Sequence, residues 1–115
     1  VLVGYDPTGK YDTDFWIRDI KDMFKRIELL GKYGASPYIM RFERYNDSPY
    51  RGIYITVARW CNQYSYFKKQ SLREYVYITD YNSGGRASQR YIEAFEKEHP
   101  DISKYFNIKF WRKQR

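Results

Sequence analysis

The residues of this chain that could do chemistry are mostly cations interleaved with aromatic side chains. The 115 residues carry a formal net charge of +7, and 21% of them are aromatic, with tyrosine the commonest residue. Residues 1–63 hold ten basic and eight acidic groups, whereas residues 64–115 hold eleven and six. Cations neutralise phosphates and aromatic faces stack on unpaired bases, so this composition suits a polyanion partner. It also fits a tyrosine-rich core beneath a cationic surface.

The second half therefore holds the candidate surface for nucleic acid or for a nucleic-acid-binding protein. Its residues are Lys68, Lys69, Arg73, Arg86, Arg90, Lys109, Trp111, Arg112, Lys113 and Arg115. Trp111 is the best local candidate to stack on a base or to anchor a protein partner, although it could equally close the core. The sequence contains no helix-turn-helix, zinc-finger or RNP signature, so this prediction rests on charge and aromatic content.

Nucleophilic and metal chemistry have little support in the sequence. Cys61 is the only cysteine and His99 the only histidine. One thiol and one imidazole cannot form a four-ligand zinc or iron site, so we predict no metal site. Without a nearby catalytic histidine, Cys61 is interpreted as a small core residue.

The periodicity of the first half predicts an α/β arrangement. Apolar residues at a 3.6-residue spacing predict an amphipathic helix that Asp12 or Thr13 caps and that ends at a left-handed Gly34. These apolar residues are Trp16, Ile20, Met23, Phe24, Ile27 and Leu30. Apolar runs at residues 1–5 and 37–43 predict strands on either side of this helix, which is the signature of a parallel strand-helix-strand unit.

Loops at the carboxyl ends of parallel strands form the ligand crevice of an open α/β sheet. Asp6 and Thr8 follow the first predicted strand and would face such a crevice, unless Asp6 only shapes the turn. Arg41 on the second strand either pairs with an acid such as Glu43 or points into the same crevice. These three residues, Asp6, Thr8 and Arg41, are the candidate crevice.

The remaining elements are predicted mainly as helices. Residues 53–62 fit a short helix, although their β-branched residues leave a strand open. A second amphipathic helix occupies residues 87–99 and ends before Pro100. Residues 107–115 form a short edge strand or an ordered tail. We expect a single domain, 1–115, in which a β-α-β-α core, 1–63, carries the basic portion 64–115 packed on it.

Several segments, in order, resemble the carboxyl-terminal part of a group of radical S-adenosylmethionine (radical SAM) proteins common in bacteria and phages. These segments are VLVGYDPT, RIELLGKYGASPYIMRFERYN, ARWCN, FKKQSLREYV and GGRASQRYIEAFEKEHPDISKYF. The resemblance implies the last strands and helices of a partial α/β barrel. The family's C-x-x-x-C-x-x-C loop, which holds a [4Fe–4S] cluster, is absent from this chain, and one cysteine cannot supply its ligands.

Two functions follow from the resemblance. In the first, the chain is a non-catalytic relative that binds nucleic acid or inhibits a nucleoprotein, as a phage-type inhibitor of a CRISPR effector would. In the second, it is the carboxyl-terminal piece of a radical SAM enzyme, and S-adenosylmethionine and the cluster are held by residues outside this chain. No segment of the sequence is apolar enough to cross a membrane, so a cytoplasmic location is expected. Uncovered sheet edges and an uncovered hydrophobic face in such a half-barrel would favour self-association or a bound partner.

Overall fold

The computed structural model of the chain describes residues 2–35, 37–79 and 85–112, and most of these residues are helical. The helices are α1 (Thr13–Lys32), α2 (Arg51–Cys61), α3 (Tyr64–Lys69), α4 (Leu72–Glu74), α5 (Gly85–Glu98) and α6 (Pro100–Ser103). The strands are β1 (Leu2–Val3) and β2 (Met40–Arg41), and helical turns of other pitch cover Glu43–Asp47, Tyr75–Thr79 and Lys104–Asn107. The fold is thus mostly helical with a small two-stranded parallel sheet, and is α/β only in a loose sense.

Helix α1 forms where its apolar period predicts it. The Asp12 carboxylate accepts a hydrogen bond from the Phe15 N–H at 2.8 Å, which caps the first turn. The helix ends at Lys32, and Gly34 then adopts a left-handed φ of 71°. The residues of the predicted apolar stripe are buried, apart from the partly exposed Leu30. The predicted cap, face and stop of this helix are confirmed.

The sheet is parallel, as predicted, but shorter than the sequence indicates. Leu2 pairs with Met40 and Val3 with Arg41, and the strand predicted over residues 37–43 contributes only β2. Its continuation turns into the helical turn Glu43–Asp47. The predicted strands were too long because an apolar run does not show where the chain will turn away from its partner strand.

Side chains of α1 cover the outer edge of β1. The Leu2 carbonyl accepts a hydrogen bond from the Arg26 guanidinium at 3.4 Å. The Gly4 N–H donates to the Asp19 carboxylate at 2.9 Å. Backbone groups that a further strand would use are therefore already paired with side chains.

Helix α2 occupies the centre of the molecule. Eight of its eleven residues are buried, which is the pattern of a helix surrounded by other elements. The structure thus resolves the helix-or-strand ambiguity of residues 53–62 in favour of a helix. Asn62 follows it, and its amide accepts from the Ile39 N–H at 2.7 Å and donates to the Ile39 carbonyl at 3.1 Å. This amide pairs with the backbone of the residue just before β2, as a neighbouring strand would.

The second half packs around α2 and ends against α1. Helix α5 crosses α2 where Gly52 meets the Tyr91 ring, and it ends before Pro100, as predicted. Residues 108–112, which we call the terminal segment, run in no strand within the described residues and lie along α1. Of the predicted alternatives for this end of the chain, the described part fits the ordered tail. Within the described ranges, no helix has both the length and the apolarity that a membrane crossing requires.

Candidate functional site

A groove of about 740 Å³ lies between the second half of α1 and the terminal segment. Four cations line it, Lys25 and Lys32 from the helix and Lys109 and Arg112 from the terminal segment. Among the residues that the structure describes, Glu28 is its one acidic lining residue. The rest of the lining is apolar and consists of Leu29, Tyr105, Ile108 and Phe110. We call this feature the basic groove.

The helix side of the basic groove is a stripe of cations and apolar groups on the otherwise polar face of α1. Lys25, Leu29 and Lys32 lie four and seven residues apart, so they share one side of α1, away from its buried stripe. Leu29 is 56% exposed although it is large and apolar. Tyr33, four residues further on, is 63% exposed. The helix therefore presents cations and apolar groups together to solvent.

The other wall depends on a close approach of two backbones. The Arg112 N–H donates to the Gly31 carbonyl at 2.9 Å. A Cβ placed on Gly31 would lie 2.6 Å from the Phe110 carbonyl oxygen, which is closer than packed atoms allow. Phe110 itself is buried, with its ring 6.1 Å from that of Trp60. Glycine at position 31 is thus what lets the terminal segment lie on α1 and carry its cations to the groove.

At the end of α1 the basic groove adjoins Tyr64, Lys68 and Trp111, which we call the aromatic shelf. The Trp111 indole N–H donates to the Gly34 carbonyl at 3.2 Å, and the Tyr64 hydroxyl lies 3.5 Å from the same oxygen. The Lys68 ammonium lies 4.9 Å from the centre of the Trp111 ring and 5.3 Å from that of Tyr64. Trp111 is partly exposed and packs against the core from outside, which leaves a surface role open to it.

Two of the sequence-predicted cations are paired with acids. The Arg73 guanidinium bonds the Glu96 carboxylate and, at 2.6 Å, the Asn107 side chain. This places Arg73 in a structural bridge between three elements. The Lys109 ammonium lies 3.7 Å from Glu74 but still lines the basic groove. In a capping box, the Glu74 carboxylate accepts a hydrogen bond from the Ser71 backbone N–H, and this bond is the main cause that lowers the pKa of Glu74. Glu74 therefore stays ionised beside Lys109.

The other predicted cations lie away from the basic groove or outside the described residues. Lys69 and Arg90 are exposed, but neither lines the basic groove. The side chains of Arg86, Lys113 and Arg115 lie outside the described residues. The predicted set is therefore brought together only in part, by Lys68, Lys109, Trp111 and Arg112.

The predicted crevice is a separate and acidic depression. Asp6 and Thr8 line it together with five charged side chains, of which three are carboxylates, Asp12, Asp19 and Asp22. Thr8 donates its N–H to Asp6 at 3.0 Å, and this bond lowers the pKa of the Asp6 carboxyl, so Asp6 shapes the turn. Arg41 does not line the depression; it is exposed, with its guanidinium 4.8 Å from the centre of the Tyr45 ring. Within the described residues, no group of three or more acidic, histidine or cysteine side chains is arranged to hold a metal ion.

Asp19 is the most unusual carboxylate of this depression. It accepts hydrogen bonds from the Tyr54 hydroxyl at 2.6 Å and from the Gly4 N–H at 2.9 Å. Burial raises the pKa of Asp19 above its ordinary value, and burial together with the adjacent Asp19 raises the pKa of Tyr54. Both groups hold β1, α1 and α2 together, so their role is structural.

The lone cysteine does not fit an iron–sulfur cluster. Cys61 is fully buried at the end of α2, and burial raises the pKa of its thiol well above the ordinary value. Cluster ligands are several thiolates around one cavity, and this chain offers one inaccessible thiol. We therefore derive no chemistry through a cluster from these residues.

Comparisons of the chain with protein-family models, with curated proteins and with solved structures find no match. The candidate site consequently rests on geometry. Sequence reasoning missed Lys25, Leu29 and Lys32, because the polar face of α1 looked like ordinary solvent exposure. A signal was present in Leu29, an apolar residue off the buried stripe, and in Gly31, a glycine in the last turn of α1, where it costs up to about 1 kcal/mol relative to alanine unless packing requires it.

Proposed function

We propose that the chain is a non-catalytic binding protein whose basic groove holds nucleic acid. The observation that carries this proposal is the convergence of four cations, from two segments far apart in the sequence, around an apolar floor. Lys25 and Lys32 are separated by about 10 Å along the helix axis, so they reach different phosphates of one strand. Cations on both walls give a strand contacts along each side.

Charge supports the same proposal at the level of the whole chain. The net charge of +7 attracts polyanions to the protein as a whole, and the groove adds a shape in which a nucleic-acid backbone can lie. The acidic depression at Asp6 and Asp12 would repel phosphate, so it is not part of the proposed interface.

The relation to radical SAM proteins is a second proposal. The parallel unit β1–α1–β2 supports it, because the resemblance implies such a unit. The side chains that cover the sheet edges, Arg26, Asp19 and Asn62, weigh against further strands pairing there, and hence against the role of a barrel fragment in a longer enzyme. An inhibitor of a nucleoprotein, located in the cytoplasm, would use the same basic groove on the nucleic acid of its target.

Fluorescence anisotropy with a labelled oligonucleotide, measured over a series of salt concentrations, tests the groove. The double variant Lys25→Gln/Lys32→Gln removes two phosphate contacts, so the slope of log K against log salt should become shallower by about 1.4 for a single strand. The matched control Lys21→Gln/Lys97→Gln removes the same charge from exposed helix positions outside the groove. Equal slopes for the two double variants would refute the groove as the interface.

A further inference from the structure

We infer that the ligand of the basic groove is a single strand whose unpaired bases contact the apolar floor. This inference rests on the proposed function and narrows it to one class of nucleic acid. A surface that reads only duplex phosphates needs cations and hydrogen-bond donors, because the bases are stacked inside the helix. An apolar floor between the cations has a partner only where bases are exposed.

The floor is both exposed and firmly supported. Leu29 is 56% exposed, and Ile108 is partly exposed on the opposite wall. Beneath them Tyr105 is buried, with its ring stacked on Phe24 at a centroid distance of 5.5 Å and an angle of 2°. A flat base placed between Leu29 and Ile108 would cover apolar surface that water otherwise contacts, while its phosphates reach the cations on either side.

The aromatic shelf extends this surface beyond the end of α1. Tyr33 is 63% and Tyr64 39% exposed, and Trp111 is partly exposed beside them in the fold through its bond to Gly34. Aromatic faces are stacking platforms for successive unpaired bases. The Lys68 ammonium lies against the Trp111 ring. When a base stacks on that ring, the ammonium can move off it and bind a phosphate of the same strand. The groove and the shelf together form a path for a strand that holds several nucleotides.

Four labelled probes separate base contacts from charge: a short oligothymidylate, a duplex of equal length, an abasic strand of equal length and an acidic peptide. The inference predicts that the oligothymidylate binds at least tenfold more tightly than the abasic strand, because each stacked base contributes about 1–3 kcal/mol. Leu29→Gln and Tyr33→Ala should each weaken oligothymidylate binding by several-fold to tenfold and leave abasic binding unchanged. Both positions are exposed, so circular dichroism and the melting temperature should stay near those of the parent.

Tryptophan fluorescence gives an independent readout. The chain has three tryptophans, and Trp16 and Trp60 are buried, so a base that stacks on the surface can quench only Trp111. Quenching by oligothymidylate, but not by the abasic strand, is the expected result.

The outcomes distinguish this inference from the proposal beneath it. Equal affinity for the oligothymidylate, the duplex and the abasic strand would overturn the single-strand inference and keep the groove as a phosphate site. Preference for the duplex would overturn the inference in the same way. If no nucleic-acid probe binds, both the inference and the proposed function fail, and binding of the acidic peptide alone would assign the groove to a protein partner.

Discussion

Replacing Gly31 with alanine should displace the terminal segment from α1. Alanine in a helix interior is normally more stable than glycine by about 1 kcal/mol. At this position the added Cβ would lie 2.6 Å from the Phe110 carbonyl oxygen and 2.8 Å from its carbon. These are backbone atoms, so no change of rotamer relieves the overlap, and the segment itself has to move.

The magnitude follows from what that movement breaks. The hydrogen bond from the Arg112 N–H to the Gly31 carbonyl is worth about 1 kcal/mol. Phe110 is only 3% exposed, and losing most of its burial costs about 2 kcal/mol. The opposing helix-propensity gain is at most about 1 kcal/mol in this last turn of α1, so Gly31→Ala should lower the free energy of unfolding by about 2 kcal/mol. At this chain length the melting temperature should fall by about 8 °C.

Differential scanning fluorimetry and urea unfolding measure the stability, and oligonucleotide anisotropy measures the groove. Because Lys109 and Arg112 move with the segment, Gly31→Ala should also weaken binding at temperatures where the protein remains folded. Gly52→Ala is the matched control: its Cβ would meet the Tyr91 ring at 2.4 Å and force a shift between α2 and α5, but neither helix lines the basic groove. The control should bind normally. A Gly31→Ala protein that is as stable as the parent, or more stable, would refute the close-approach explanation.

Three further predictions concern the scaffold. Asn62→Ala should lower the free energy of unfolding by about 2–3 kcal/mol in urea, because the Ile39 N–H and carbonyl both lose their partner; an unchanged midpoint would contradict this. Asp12→Ala should cost about 1 kcal/mol through loss of the cap on the Phe15 N–H, and Asp12→Asn, which keeps an acceptor, should cost less. Asp19→Asn tests pH linkage: burial raises the folded pKa of Asp19 above 3.8, so stability present below 3.8 is lost as the pH rises through the folded pKa. As the pH rises from 3.8 through the folded pKa of Asp19, the free energy of unfolding of the parent should therefore fall relative to that of Asp19→Asn. A difference between the two proteins that stays constant with pH would contradict this prediction.

The parts of the fold that local rules determine could be predicted from the sequence. Helix α1 has its cap at Asp12, a periodic buried stripe and a left-handed Gly34, and each of these acts within a few residues. The end of α5 before Pro100 is equally local. Strand length was not predictable, because β2 ends where the chain turns into the helical turn Glu43–Asp47, and the apolar run does not mark that turn. The sequence left α2 ambiguous because its branched residues prefer strands. Its extensive burial, which local rules do not show, overrides that preference.

The candidate site lies beyond local rules for the same reason. Composition predicts cations in the second half, but it cannot show that Arg73 is committed to Glu96 while Lys25, in the first half, faces Arg112 across the groove. Lys25 and Arg112 line the same groove because the terminal segment crosses α1 at Gly31, through a contact between residues about eighty positions apart. The groove therefore has a wall that depends on one glycine, so stability and binding should change together at position 31 and separately at the exposed groove positions Lys25, Leu29 and Lys32.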